Sequence, residues 1–180
     1  MNKTKDLAII SIFTALLIGG QFALSAISGI EVVTVLFVTF AYVFGAKRAI
    51  FVANVFSIAR CLIFGFFPSV LVLYLIYYNA LALVIGLIGK KFNRAYSIKK
   101  HVVIIIVGLV ATFCFTLMDN LLALVFYSFN YETAVAYWYA SVSTLIPQLI
   151  CVAITLALLF YPLYKLFLKL DTNNLNAQKG

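Results

Sequence analysis

Charge is what this chain has least of. Only 10% of its 180 residues are charged, and just five are acidic. A soluble fold of this size has no use for so little charge, so a water-exposed globule is excluded. Histidine is nearly absent as well. The single His101 falls in a basic segment, far from Asp119 and from the thiols, which argues against a metal site and against a His-based catalytic group. Cysteine is limited to Cys61, Cys114 and Cys151, all inside apolar runs. An odd set of buried thiols is no disulfide framework and reads as small apolar packing. No Walker A sequence and no Gly-rich phosphate loop is present, so the chain cannot hydrolyse ATP itself. Nor do two acids stand close together within the apolar runs, as an intramembrane protease would need. The expectation is a protein that is not an enzyme and carries no cofactor.

What fills the chain instead is apolar. It is 66% hydrophobic, with a mean hydropathy of +1.14. Long uncharged runs recur down its length, the pattern of an all-α, polytopic membrane protein with one membrane domain over residues 1–170. The polar segment Asp171–Gly180 reads as a disordered tail. The net charge of +8 does not point to nucleic acid, because nearly all Lys and Arg sit in short segments between apolar runs. Those segments suit anionic lipid or a cytoplasmic partner.

Six crossings are expected. Helix 1 covers Leu7–Ile27, followed by a break at Ser28-Gly29-Ile30-Glu31. Helix 2, Val32–Gly45, is short for a full crossing, which suggests little tilt or a locally thinned bilayer. Helix 3 is Ala49–Phe66, and Pro68 marks a turn before helix 4, Val70–Gly89. Helix 5 is Val102–Tyr127. The loop Ser128–Ser141 carries Glu132 with Tyr137, Trp138 and Tyr139, and helix 6 is Val142–Phe160. Lys3 and Lys5 before an apolar run resemble a signal peptide. The run is longer than a signal core, so it is read as a retained helix. Both termini then share one side with Lys47, Arg48, the helix 4–5 loop, Lys165 and Lys169, while the opposite connections hold no Lys or Arg. The positive-inside rule makes the basic side cytoplasmic.

Helix 1 has an unusual flank. Ser11, Ala15, Gly19 and Ala23 are small and recur every fourth residue, drawing a shallow groove where another helix can approach. An internal helix and a separate subunit are both open as its occupant. Gln21 points roughly 140° away from the middle of this groove, at about 100° per residue.

Polar groups in hydrocarbon are costly and need a reason. Helix 5 carries a stripe of Thr112, Thr116, Asp119 and Asn120, and helix 3 places Ser57, Arg60 and Phe64 on one face. Helix 4 offers Tyr74, Tyr77 and Tyr78 with Asn79 beside them, and helix 6 offers Thr144, Gln148 and Cys151. Gln21, Arg60, Asp119 and Gln148 all fall in the outer halves of their helices. Arg60 lies about 9 Å and Asp119 about 12 Å below the outer ends of theirs, at 1.5 Å per residue. An outward-opening polar cavity follows, roofed by the aromatic loop. Arg60 and Asp119 are near enough in depth to pair with each other, or to meet a ligand's anionic and amine or hydroxyl groups. Tyr78 is too deep for an interfacial belt and suits stacking on a flat ligand. Trp138 fits belt or lid equally, Glu31 reads as a solvated rim residue, and Asn54 as an interhelical hydrogen-bonding residue.

Together these features resemble the substrate-capturing S components of energy-coupling factor (ECF) vitamin transporters, a likeness that covers essentially the whole hydrophobic chain. It rests on six helices in under 200 residues, the helix 1 ladder of Ser11, Ala15, Gly19 and Ala23, and an outward polar site with aromatic outer loops. The family's ladder is usually alanine-rich, so Ser11 and Gly19 keep the size but depart from the pattern. The run Ile30-Glu31-Val32-Val33-Thr34 and the ending Ile63-Phe64-Gly65-Phe66 look like a subgroup from Gram-positive bacteria, implying a bacterial cell membrane. The resemblance implies a vitamin-binding subunit whose ladder packs on a transmembrane coupling subunit driven by two ATPases. Family members capture riboflavin, thiamine, folate, pantothenate or cobalamin. The polar set here is sparse for folate, which leans toward cobalamin or another micronutrient. Two other readings stay open: a stand-alone secondary transporter with Asp119 as proton site, and a ligand-free assembly subunit with an apolar, filled interior.

Overall fold

The computed structural model describes residues 3–27 and 30–176, with side chains described for 4–27 and 30–171. Its six helices are α1 (Lys3–Leu24), α2 (Val33–Phe44), α3 (Ala46–Phe64), α4 (Pro68–Lys91), α5 (Ile98–Tyr127) and α6 (Tyr131–Asn176). Four of them, α1, α4, α5 and α6, contain stretches long and apolar enough to cross a membrane. Large apolar side chains stay exposed along the bundle, from Ile12 on α1 to Leu158 on α6, as in a helical membrane protein whose outer surface meets lipid.

The centre of the bundle is α2. Its sequence is apolar around the whole circumference, and all twelve of its residues are buried. It is packed between α1, α3, α4 and α6. At about 18 Å long by 1.5 Å per residue it falls short of a hydrocarbon core of about 30 Å. Encasement by neighbours accounts for its apolar composition.

Small residues permit this encasement. A Cβ added at Gly89 of α4 would stand 2.6 Å from the Tyr42 carbonyl oxygen of α2. Gly45, at φ +85°, makes the one-residue break between α2 and α3, a conformation L side chains rarely adopt. On α3 the buried residues Ala49, Val52, Ala53, Phe56, Ser57 and Cys61 follow the helical repeat.

At one end of the bundle, Arg48 at the start of α3 pairs with Asp6 of α1 at 2.8 Å and Asp171 of α6 at 3.1 Å. The α4–α5 connection folds against the same end. Tyr42 and Tyr164 donate to the carbonyl oxygens of Ala95 and Arg94 at 2.9 and 2.7 Å. The described chain thus begins and finishes at this basic end, while the α1–α2, α3–α4 and α5–α6 connections gather at the other.

Several expectations are corrected. The segment expected as an aromatic outer loop is mostly helix: only residues 128–130 connect α5 to α6. Ser128 turns the chain at φ +47°, and the Asn130 side chain caps α6 by accepting the Thr133 N–H at 2.9 Å. The expected tail is helical as far as Asn176, with Asp171 held by Arg48; residues 177–180 lie outside the described residues, as do Ser28 and Gly29 of the expected break. His101 is not in a loop but in the first turn of α5. Its Nε2 donates to the Leu156 carbonyl oxygen at 2.9 Å, so in the neutral ring Nδ1 accepts from the Tyr96 hydroxyl at 3.2 Å.

The close approach at Gly89 gives a paired prediction. Gly89→Ala should cost about 1–3 kcal/mol, because the clash is with backbone. Gly19→Ala, where an added Cβ meets nothing within 4 Å, should cost none. Melting temperatures in detergent check this; equal losses would contradict the packing described.

Candidate functional site

Two adjoining cavities occupy the end of the bundle opposite the basic network. The outer vestibule, about 470 Å³, lies between α1, α3, α4, α6 and the α1–α2 connection, with Gln21, Arg60, Phe64, Tyr74, Tyr78 and Thr144 among its walls. The inner chamber, about 70 Å³, reaches Thr34, Tyr77, Thr112, Phe115 and Gln148. Glu31, Tyr74 and Tyr78 line both.

Each wall has a local cause. Tyr74, Tyr77 and Tyr78 fall at i, i+3 and i+4 on α4, so one helix face turns all three inward. Their rings are fixed by neighbours: Tyr78 against Phe37 and Phe56 at 5.0 and 5.2 Å, Tyr77 against Phe115 at 4.8 Å. Gln21 donates from Nε2 to the Tyr74 hydroxyl at 3.0 Å, while its Oε1 is buried without a partner. Arg60 holds its guanidinium carbon 4.6 Å from the Tyr74 ring centre and 5.5 Å from that of Phe64. Its Nε and Nη1 are buried and have no acceptor. Two ring faces offset part of the lost hydration, but they do not replace the missing hydrogen bonds.

Glu31 departs most from expectation. The sequence suggested a solvated rim residue. In the fold its Oε1 accepts from Thr34 Oγ1 at 2.7 Å and from Gln148 Nε2 at 3.4 Å. Its backbone N–H meets Cys151 Sγ at 3.4 Å, and the thiol donates back to the Glu31 carbonyl at 3.3 Å. Because α2 is buried from its first residue, the connection leading into it is drawn inside. Burial pushes the Glu31 carboxyl above its usual range, against the lowering effect of the Thr34 and Gln148 hydrogen bonds.

The other expected residues lie elsewhere. Arg60 and Asp119 form no ion pair: Asp119 Oδ2 accepts from the Tyr137 hydroxyl at 2.7 Å, and Asn120 accepts from Ser141 at 3.0 Å. Both therefore tie α5 to the outer turns of α6 and line neither cavity. Asn79 and Asn54 pair across α4 and α3, with Asn79 Nδ2 3.1 Å from Asn54 Oδ1. Trp138 faces outward beside Tyr131, Tyr139 and Val142 and does not roof the vestibule. Depth along a helix was legible from sequence, but rotation about its axis was not. Thr34 and Phe115 were missed as wall residues. Thr34 lies three residues after Glu31 and Phe115 three after Thr112, spacing that could have found them. Among the described residues no group of three His, Cys, Asp or Glu side chains could hold a metal ion. No protein-family model, no curated protein and no solved structure matches this chain.

A pH dependence follows from Glu31. Its proton is held more tightly in the folded state than in the unfolded one. Its contribution to stability is therefore complete below the unfolded value of 4.5 and is lost as pH rises through the raised folded value. The melting temperature of detergent-solubilised protein should fall across that window, and Glu31→Gln should remove this part of the slope. An unchanged slope in the variant would assign the titration to another group.

Proposed function

We propose that this chain is the substrate-binding S component of an ECF-type importer in a bacterial cell membrane. It crosses the bilayer six times with both termini in the cytoplasm. The basic end, with Arg48, Arg94 and the flanking lysines, faces inward by the positive-inside rule, which points the vestibule outward. A vitamin or related micronutrient enters there. Gln21, Arg60, Tyr74, Tyr77, Tyr78 and Gln148 meet it, together with Glu31. The volume of about 470 Å³ lies within the roughly 300–1,000 Å³ usual for small-molecule sites. It favours a nutrient smaller than cobalamin, toward which the sparse polar set leans.

The observation that carries this reading is the separation of two surfaces. The polar cavity is enclosed between helices, while Ser11, Ala15, Gly19 and Ala23 are all exposed on the outer flank of α1. No internal helix fills the groove at Gly19. A transmembrane coupling subunit, driven by two ATPases, would pack there by close backbone approach. The chain itself catalyses nothing in this scheme. A polar cavity weighs against a ligand-free assembly subunit, and the engagement of Asp119 by Tyr137, outside both cavities, gives a proton-driven stand-alone transporter no support.

Affinity purification from native membranes tests the proposal without knowledge of the ligand. The chain should retain a transmembrane subunit and ATPases, and Ala15→Trp should lose them while keeping its melting temperature. Failure of the unaltered chain to bring down any ATPase would overturn it.

A further inference from the structure

The charges that line the vestibule are one of each sign and do not neutralise each other. Arg60 and Glu31 both face it, yet among the described residues no ion pair joins them. Each is instead half satisfied. Arg60 has Nε and Nη1 without acceptors. Among the described residues, the donors to the Glu31 carboxyl, Thr34 and Gln148, both reach Oε1 and none reaches Oε2. Gln21 Oε1 is a further buried acceptor without a partner.

Resting on the capture role argued above, we propose that the vestibule selects a small aromatic ligand that is amphoteric, with a carboxylate for Arg60 and a protonated nitrogen for Glu31. A protonated nitrogen beside Glu31 favours its carboxylate form against burial, so in the complex the two protein charges sum to zero and a zwitterion leaves no charge uncompensated. A purely anionic ligand would leave the buried Glu31 either repelling it or having to take up a proton, and a purely cationic one would meet Arg60; either cost is larger in a site of low dielectric than in water. Tyr74 and Tyr78 line the vestibule and give the body of the ligand an aromatic wall to pack against. The inner chamber restricts what lies beyond. At about 70 Å³ it has room for two or so waters at roughly 30 Å³ each, and so admits a small polar end but not a second ring. The recognising groups thus run in order: Arg60 in the outer wall, Glu31 at the junction, Gln148 and Tyr77 in the floor.

Calorimetric titration of ligand-free protein with three indole probes tests this. Tryptophan carries both charges, tryptamine lacks the carboxylate, and indolepropionate lacks the ammonium. Tryptophan should bind at least about tenfold more tightly than either analogue, since each analogue leaves one buried charge unpaired. Arg60→Gln should abolish the discrimination against tryptamine, and Glu31→Gln that against indolepropionate. The ranking in the unaltered protein stands even if a variant fails to fold. Equal or tighter binding of a singly charged probe, or no binding of any probe at millimolar concentration, overturns the inference. A nutrient of other chemistry retained through purification would sink this inference alone; loss of ATPase association is what would sink the importer reading.

Discussion

The structure depends on a short helix that has no outward face. Every residue of α2 is buried, so its neighbours must close around it on all sides, and its ends must terminate inside the protein. At the basic end this is resolved by Gly45 and by the Tyr42 hydrogen bond to the α4–α5 connection. At the other end it draws Glu31 between α6 and the α4 tyrosines. The cavity is the space left where a helix about 18 Å long by its rise sits among helices long enough to span a bilayer. The site is therefore a consequence of the packing, not an addition to it.

Electrostatics are divided between the two ends in different ways. At the basic end Arg48 is fully engaged, with two carboxylates and the Phe44 ring at 5.7 Å. At the cavity end Arg60 has ring faces and no carboxylate. A half-buried guanidinium with two nitrogens lacking acceptors is expensive for folding, and in the proposed role the ligand supplies them. The two arginines of one bundle thus contrast an ion network that fixes helix ends with a charge that has no carboxylate partner among the described residues.

Much of this was legible in the sequence. Apolar runs gave six helices in the right order, and Pro68 fell at the start of α4, where its missing N–H costs nothing. The small ladder on α1 is evident from spacing, depth groups Gln21, Arg60 and Gln148 but also Asp119, and the i, i+3, i+4 spacing sets Tyr74, Tyr77 and Tyr78 on one face. What failed did so for physical reasons. Tyr137, Trp138 and Tyr139 suit an interfacial loop as well as the outer turns of a helix, and the Asn130 cap decided in favour of helix. Asp119 has the depth of the cavity but the wrong azimuth, set by how α5 rolls against α6. Glu31 looked solvated because a short polar break normally is; only the burial of the following helix brings it inside.

In the proposed role, the hollow beside Arg60 and Glu31 holds a small molecule. Native mass spectrometry of the chain released gently from its own membrane measures this most directly. A one-to-one adduct of low mass is expected, and it should disappear when the vestibule is filled by Gln21→Trp. An unliganded protein under all gentle release conditions, or an adduct indifferent to that substitution, would contradict it.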